Sequence, residues 1–71
     1  MNYSKAIEIN PQDANAYFNR GNAYEEKSDH DRAIAEYSKV IEINPQDANA
    51  YFNRGSARLA AALARRYPAF F

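Results

Sequence analysis

The chain of 71 residues contains no cysteine and no tryptophan, and it carries only two glycines and three prolines. Without cysteine it can form no disulfide bond and offers no thiolate as a nucleophile or metal ligand. Nine basic and nine acidic residues cancel, so the composition gives no overall attraction for nucleic acid or for an anionic membrane surface. No apolar run reaches the length of a membrane span, and no secretory signal pattern is present. The expectation is a soluble intracellular protein, with the cytoplasm as the default location.

An internal repeat is the most informative feature of the sequence. The fourteen residues EINPQDANAYFNRG occur at positions 8–21 and again at positions 42–55, so the period is 34 residues. The match extends over 3–24 and 37–58, where only three pairs of residues differ: Ala6 and Val40, Asn22 and Ser56, and Tyr24 and Arg58. A period between about 20 and 50 residues is typical of a stacked array, in which each unit buries its apolar face against the next.

The apolar residues fall at helical spacing, without the alternation of a β-strand. One series follows the pattern of an amphipathic helix: Ala33, Ile34, Tyr37, Val40 and Ile41. Asp13 and Asp47 stand at N-cap positions, and Pro45 disfavours helical geometry in the residue before it. We therefore predict four helices, at about 2–10, 14–27, 30–43 and 48–64.

The chain resembles the tetratricopeptide repeat, a helix–turn–helix unit of 34 residues, over positions 3–58. Large, small, aromatic and proline residues occur at the spacing of that family at Tyr17, Gly21, Tyr24, Ala33, Tyr37, Val40 and Pro45. The pattern restarts at Tyr51, Gly55 and Ala57, and an earlier unit ends with Tyr3, Ala6 and Pro11. The resemblance implies an all-α fold, in which antiparallel helical hairpins stack into a short right-handed solenoid.

The repeat also divides the chain. A half-repeat at 1–13, a full repeat at 14–47 and a half-repeat at 48–58 are predicted to form one unit. Residues 59–71 have no counterpart in the repeat. The segment LAAAL at 59–63 resembles linker sequence translated from a cloning vector, so we predict that 59–71 is not natural sequence. A natural, alanine-rich extension of the fourth helix is the alternative.

Two kinds of position within the repeat are predicted to control helix packing. Gly21 and Ala33 have little or no side chain, so two helices can approach closely there. Arg20 and Arg54 stand where the family usually has leucine, and we expect either a looser contact or packing through the arginine stem. Arg58 replaces the aromatic residue of the preceding repeat, which is expected to weaken the last unit.

A polar stripe runs along the second helix and is repeated on the fourth. The stripe and the phenylalanines beside it comprise Asn15, Phe18, Asn19, Asn22, Glu26, Asn49, Phe52 and Asn53. In the family that the chain resembles, this face lines a concave groove for extended peptides. Asparagine offers both a donor and an acceptor to a peptide backbone, so we expect any peptide ligand to bind here. An ordinary solvated helix face is the alternative interpretation.

The only histidine lies in the segment SDHD at 28–31, where a catalytic or metal site is conceivable. Four consecutive residues in a turn cannot converge on one point as a catalytic triad does. One histidine with flanking carboxylates is also too few ligands for a convincing zinc site. We expect Asp29 or Asp31 to cap the third helix instead. The prediction is a protein that is not an enzyme and needs no cofactor or metal.

The way in which the repeats are divided predicts self-association. Each half-repeat lacks the helix that packs on it in the full repeat, so the two ends of the chain are complementary. The residues expected to meet across two chains are Tyr3, Ala6, Ile7, Tyr51, Gly55 and Leu59. The predicted function is a protein-interaction scaffold that binds another protein or peptide and copies of itself, but neither nucleic acid nor membrane. A purely structural self-assembly unit and an RNA-binding helical repeat are the alternatives.

Overall fold

Four α-helices make up most of the structure, a computed structural model that describes residues 2–67. Their bounds are α1 Tyr3–Ile9, α2 Ala14–Glu26, α3 His30–Ile43 and α4 Ala48–Arg66. No strand forms among these described residues. The all-α prediction is confirmed, and each predicted helix boundary lies within two residues of the observed one.

Each helix begins after a side chain that caps its first turn. At distances between 3.1 and 3.3 Å, the backbone N–H of Lys5 donates to Asn2, that of Ala16 to Asp13, that of Arg32 to Asp29, and that of Ala50 to Asp47. A cap of this kind typically contributes about 1 kcal/mol to helix stability. Of the two aspartates considered for α3, Asp29 is therefore the cap, and Asp31 lies in the first turn.

The helices α2 and α3 form an antiparallel hairpin around the turn at Ser28. Tyr17, near the start of α2, packs with Val40 near the end of α3, while Tyr24 and Ala33 belong to a cluster at the other end of the hairpin. Ser28 has a φ of 60°, the left-handed conformation in which a chain commonly leaves a helix. Because α1 packs on α2 and α4 packs on α3, the helices stack in chain order.

The core consists of two small clusters that lie between the stacked helices. Their buried members are Tyr17, Val40 and Ala50 in one, and Ala33, Tyr37 and Ala57 in the other. A Cβ atom added at Gly21 would lie 2.7 Å from Cε1 of Tyr37, so the α2–α3 contact needs a residue without a side chain there. The predicted close approach at Gly21 and Ala33 is confirmed, since Ala33 is fully buried.

The helix α4 runs without a break through the end of the repeat at residue 58. Three of its alanines, Ala50, Ala57 and Ala61, are buried, and the first two pack against residues of α3. Beyond the repeat, Nη2 of Arg65 pairs with Oδ1 of Asp31 at 2.9 Å, so residues 59–66 extend the packed helix. None of the described helices is both long and apolar enough to cross a membrane. The origin of 59–71 stays a prediction, and residues 68–71 lie outside the described range.

Candidate interaction surfaces

The two copies of the repeat place identical residues in different environments. Tyr17 is 8% exposed, whereas its counterpart Tyr51 is 46% exposed. Gly21 lies against the ring of Tyr37, whereas a Cβ atom added at Gly55 would have no neighbour within 4 Å. Since the local sequence is the same, the difference comes from α3, which covers α2 on this side, while no described helix covers α4.

The uncovered side of α4 is largely apolar, although it also carries the exposed Arg58, the counterpart of Tyr24. Besides Tyr51 and Gly55 it carries Phe52, which is 74% exposed, and two exposed leucines, Leu59 and Leu63. Tyr51, Gly55, Leu59 and Leu63 recur every four residues and Phe52 lies next to Tyr51, so the five share one side of the helix, away from the buried alanines. We refer to them as the open face. A contiguous apolar surface of this kind marks an interaction site more often than isolated apolar residues do.

The other end of the stack is open along α1. Tyr3 and Ala6 are half-buried, and Tyr3 lines a hollow of about 400 Å³ with Arg20 and Tyr24. Ile7 instead packs against the core cluster that contains Tyr17 and Val40. Of the residues that were expected on the self-association surface of α1, Tyr3 and Ala6 therefore remain accessible, while Ile7 already has a partner within the chain.

Arg20 holds a buried carboxylate rather than a loose contact. Its Nε donates to Oε2 of Glu36, and its Nη2 donates to Oε1 at 2.9 Å. Nη1 donates to Oγ of Ser4 at 3.2 Å, and the guanidinium lies 5.7 Å from the ring centre of Tyr17. The hydrogen bond to Glu36 raises the pKa of Arg20 above its ordinary value, so the guanidinium stays charged. Sequence reasoning missed Glu36, whose position in α3 sixteen residues away gave no local signal.

Arg54 repeats half of this arrangement. Its Nη1 donates to Oγ of Ser38 at 3.2 Å, and its guanidinium lies 5.4 Å from the ring centre of Tyr51. Ser38 and Tyr51 are the repeat counterparts of Ser4 and Tyr17. Within residues 2–67, however, no carboxylate pairs with Arg54. The guanidinium is therefore oriented as in the complete site, but that site's anion is missing from the described part of the chain.

The predicted polar stripes of α2 and α4 meet at Asn22. Its Oδ1 accepts a hydrogen bond of 2.6 Å from the hydroxyl of Tyr37 and lies 3.5 Å from Nδ2 of Asn53. Burial raises the pKa of Tyr37, and the nearby charge of Glu25 raises it further, so the hydroxyl remains a donor. The stripes thus form one continuous surface, but the oxygen of Asn22 is already engaged within it.

The remaining groove candidates differ in how far a ligand could reach them. Four of them are exposed: Asn15, Asn19, Glu26 and Asn49. Phe18 is half-buried and packs against Tyr37, with ring centroids 5.7 Å apart. Only Phe52, which belongs to the open face, presents most of an aromatic ring to a ligand. The peptide groove stays a prediction.

The SDHD segment is accounted for by local contacts. Nδ1 of His30 lies 2.7 Å from Oε1 of Glu25, Asp29 caps α3, and Asp31 pairs with Arg65. A shallow hollow of about 180 Å³ lies between this turn and the end of α4. Among the described residues, no three side chains of the ligating types cluster as a metal site requires.

Helical hairpins that recur every 34 residues and stack in chain order define a helical-repeat protein. The family model of the TPR repeat, the tetratricopeptide unit, matches residues 1–28 and 22–61, and the chain belongs to that family. TPR repeats generally mediate protein–protein interactions and form a non-catalytic module. A search of curated proteins finds no match.

Proposed function

We propose that this TPR protein is a non-catalytic interaction module whose partner is a second copy of itself, docked head to tail. In this arrangement the open face of α4 receives α1 of the next chain. The observation that carries the proposal is the contrast between Gly21, filled by Tyr37, and Gly55, which has no neighbour. Both α2 and α4 therefore present a glycine notch that fits a tyrosine, but within the described residues only the notch at Gly21 holds one.

The second copy carries the matching helix. Residues 3–10 repeat residues 37–44 with a single difference, Ala6 in place of Val40. If α1 of a second chain occupies the place that α3 has on α2, its Tyr3 enters the notch at Gly55. Phe52 then packs against that tyrosine as Phe18 packs against Tyr37. The interface between chains therefore reproduces contacts that already hold this fold together.

The docked contact is weaker than the internal one for two reasons. α1 has 7 residues and α3 has 14, so α1 rebuilds only the contact that the C-terminal half of α3 makes with α2. Ala6 also buries less apolar area than Val40, whose side chain is 1% exposed. Since the docking surfaces on α1 and α4 differ, a docked pair of chains leaves one surface of each kind open. Such an assembly grows as an open chain unless its rotation closes a ring.

A peptide groove along the polar stripe is a second candidate function. The observation that favours it is the contact between Asn22 and Asn53, which joins the stripes of α2 and α4 into one surface. A ligand there should perturb the amide groups of Asn15, Asn19 and Asn49 in NMR spectra. Perturbations that cluster on α3 instead would move the site to the other side of the stack.

The mass of the protein in solution should increase with concentration, and Gly55→Leu should abolish that increase. Leucine at this position fills the notch, and its Cβ atom has no neighbour within 4 Å in the isolated chain, so the fold and its circular dichroism should be unchanged. Sedimentation equilibrium over a wide concentration range measures the effect. Gly55→Leu also adds apolar surface. If association were only non-specific apolar contact, it would therefore increase in this variant, whereas specific docking predicts a decrease.

Tyr67→Ser is the matched control for this experiment. Tyr67 is 65% exposed and lies just beyond α4, outside the open face. Its replacement should leave the concentration dependence as it is in the parent chain. A parent chain that stays monomeric at all concentrations, or a Gly55→Leu variant that associates as strongly as the parent, would contradict the proposal.

A further inference from the structure

Arg20 and Arg54 occupy the same position in successive repeats. The site at Arg20 is complete, and comparison with it shows what the site at Arg54 lacks. Both guanidinium groups use Nη1 to bind a serine hydroxyl at 3.2 Å and lie over a tyrosine ring. In Arg20 the remaining edge, Nε and Nη2, holds both carboxylate oxygens of Glu36. In Arg54 that edge has no carboxylate partner among residues 2–67.

We propose that the Nε and Nη2 edge of Arg54 is a carboxylate-binding site beside the open face, and that it determines which helix docks on that face most tightly. The preferred helix carries an acidic residue directly before the tyrosine that enters the Gly55 notch. This inference rests on the proposed docking of a helix on the open face, and it adds the chemical identity of the recognised group. It makes Arg54 a specificity-determining residue of that surface.

The register of the site follows from the complete copy. The Cβ atom of Glu36 lies 3.2 Å from the position that a Cβ atom would take at Gly21, and Tyr37 fills the same notch. A docked helix that places its tyrosine at Gly55 therefore brings the preceding side chain to Arg54. Arginine favours carboxylates at such a site because its planar fork can bind both oxygens at once.

A second copy of the chain satisfies this site only in part. The residue before Tyr3 is Asn2, whose amide is neutral and whose Oδ1 already accepts from the backbone N–H of Lys5. Its docking gains the tyrosine contact but not the charge-assisted pair. Arg54 therefore distinguishes helices that otherwise fit the same notch, and an acidic residue at that point ranks above the asparagine of the copy.

A peptide that copies α3 is the most direct probe, because α3 already binds the corresponding surface of α2. Over the repeat, the surface of α4 differs from it at Ser56 in place of Asn22 and at Arg58 in place of Tyr24. We would titrate a fluorescently labelled peptide of the sequence HDRAIAEYSKVIEI onto the full chain and follow its anisotropy. The same peptide with Glu36→Gln should bind about tenfold more weakly, which is the usual scale for losing a hydrogen-bonded charge. Arg54→Gln in the chain should produce a similar loss and should erase the difference between the two peptides.

Arg32→Gln in the chain is the control for Arg54→Gln. It also removes one arginine charge, at an exposed position of α3, and should not change the discrimination between the two peptides. Equal binding of the two peptides to the parent chain would overturn the proposal. Failure of both peptides to bind would overturn it as well, and so would unchanged discrimination in the Arg54→Gln chain.

Self-association provides an independent reading of the same site. Asn2→Asp keeps a good N-cap and adds a carboxylate, so it should strengthen association of the chain severalfold, and Arg54→Gln should cancel the gain. A parent chain that stays monomeric while the two peptides are still discriminated would refute self-docking but not the carboxylate site. Association of the parent chain that depends on Gly55, without discrimination between peptides, would refute the site but not self-docking.

Discussion

Replacing Tyr37 with alanine should lower the free energy of unfolding by about 3–5 kcal/mol, the largest effect expected of any single substitution in the chain. The side chain is 1% exposed, fills the space above Gly21 and donates a hydrogen bond of 2.6 Å to Asn22. The change therefore opens a cavity and leaves the amide oxygen of Asn22 without its strongest partner. Since a chain of this size has a total stability of roughly 4–10 kcal/mol, the substitution should remove at least about a third of that stability.

Tyr3→Ala is the matched control for that experiment. Tyr3 is the repeat counterpart of Tyr37, but it is only half-buried in the single chain. Its replacement should cost less than about 1.5 kcal/mol, because a partly exposed side chain gains less from burial. Urea unfolding followed by circular dichroism, at concentrations where the chain is monomeric, measures both. Equal losses for the two variants would mean that the repeats are not stacked as described.

The same substitution at the two glycines should change stability in opposite directions. At Gly21 an added Cβ atom would lie 2.7 Å from a buried ring carbon of Tyr37 and 3.2 Å from Cβ of Glu36. Neither neighbour is the free end of a flexible side chain, so the helices must move apart. Gly21→Ala should therefore destabilise the protein by about 1–3 kcal/mol, as overpacking of a core typically does.

Gly55→Ala, in contrast, should stabilise the isolated chain by about 0.5–1 kcal/mol. The position lies inside α4 with no neighbour within 4 Å, so only the gain in helix propensity from glycine to alanine remains. Thermal unfolding of both variants provides the comparison. A loss of stability at Gly55 similar to that at Gly21 would mean that some part of the chain covers the open face.

The helices and their close contact could be predicted because the signals for them occur in both copies of the repeat. Apolar spacing, the aspartate caps and the 34-residue period are all defined by the order of residues along the chain, so they can be identified without a structure. The positions of Gly21 and Ala33 followed from size alone, since only small residues permit helices to approach closely. The contrast between the ends of the stack followed from counting which helix of each hairpin is present.

The polar partners could not be predicted in the same way. Arg20 stands where related repeats have leucine, and its partner Glu36 is on another helix, so neither residue indicates the pair by itself. Asn22 was assigned to a ligand groove, yet its oxygen accepts from Tyr37. Such pairs depend on the rotation of one helix against another, which a pattern of apolar residues constrains only to within a helical face.

Cross-linking between two chains tests head-to-tail docking most directly. The side chains of Arg20 and Glu36 are in direct contact, since Nη2 of Arg20 donates to Oε1 of Glu36 at 2.9 Å. Their counterparts across two docked chains are Arg54 and Asn2, and replacing these two residues leaves the notch at Gly55 free. Because the chain has no cysteine, each of these positions can be replaced by cysteine without competing thiols.

A mixture of Arg54→Cys chains and Asn2→Cys chains should be treated with a short bis-maleimide linker, and the cross-linked species identified by mass spectrometry. Head-to-tail docking predicts that the mixed cross-link between residues 54 and 2 dominates, far above the half share that random pairing produces. Addition of the α3 peptide should suppress it by occupying the open face. Random shares, or a predominance of the symmetric cross-links between like residues, would contradict head-to-tail docking.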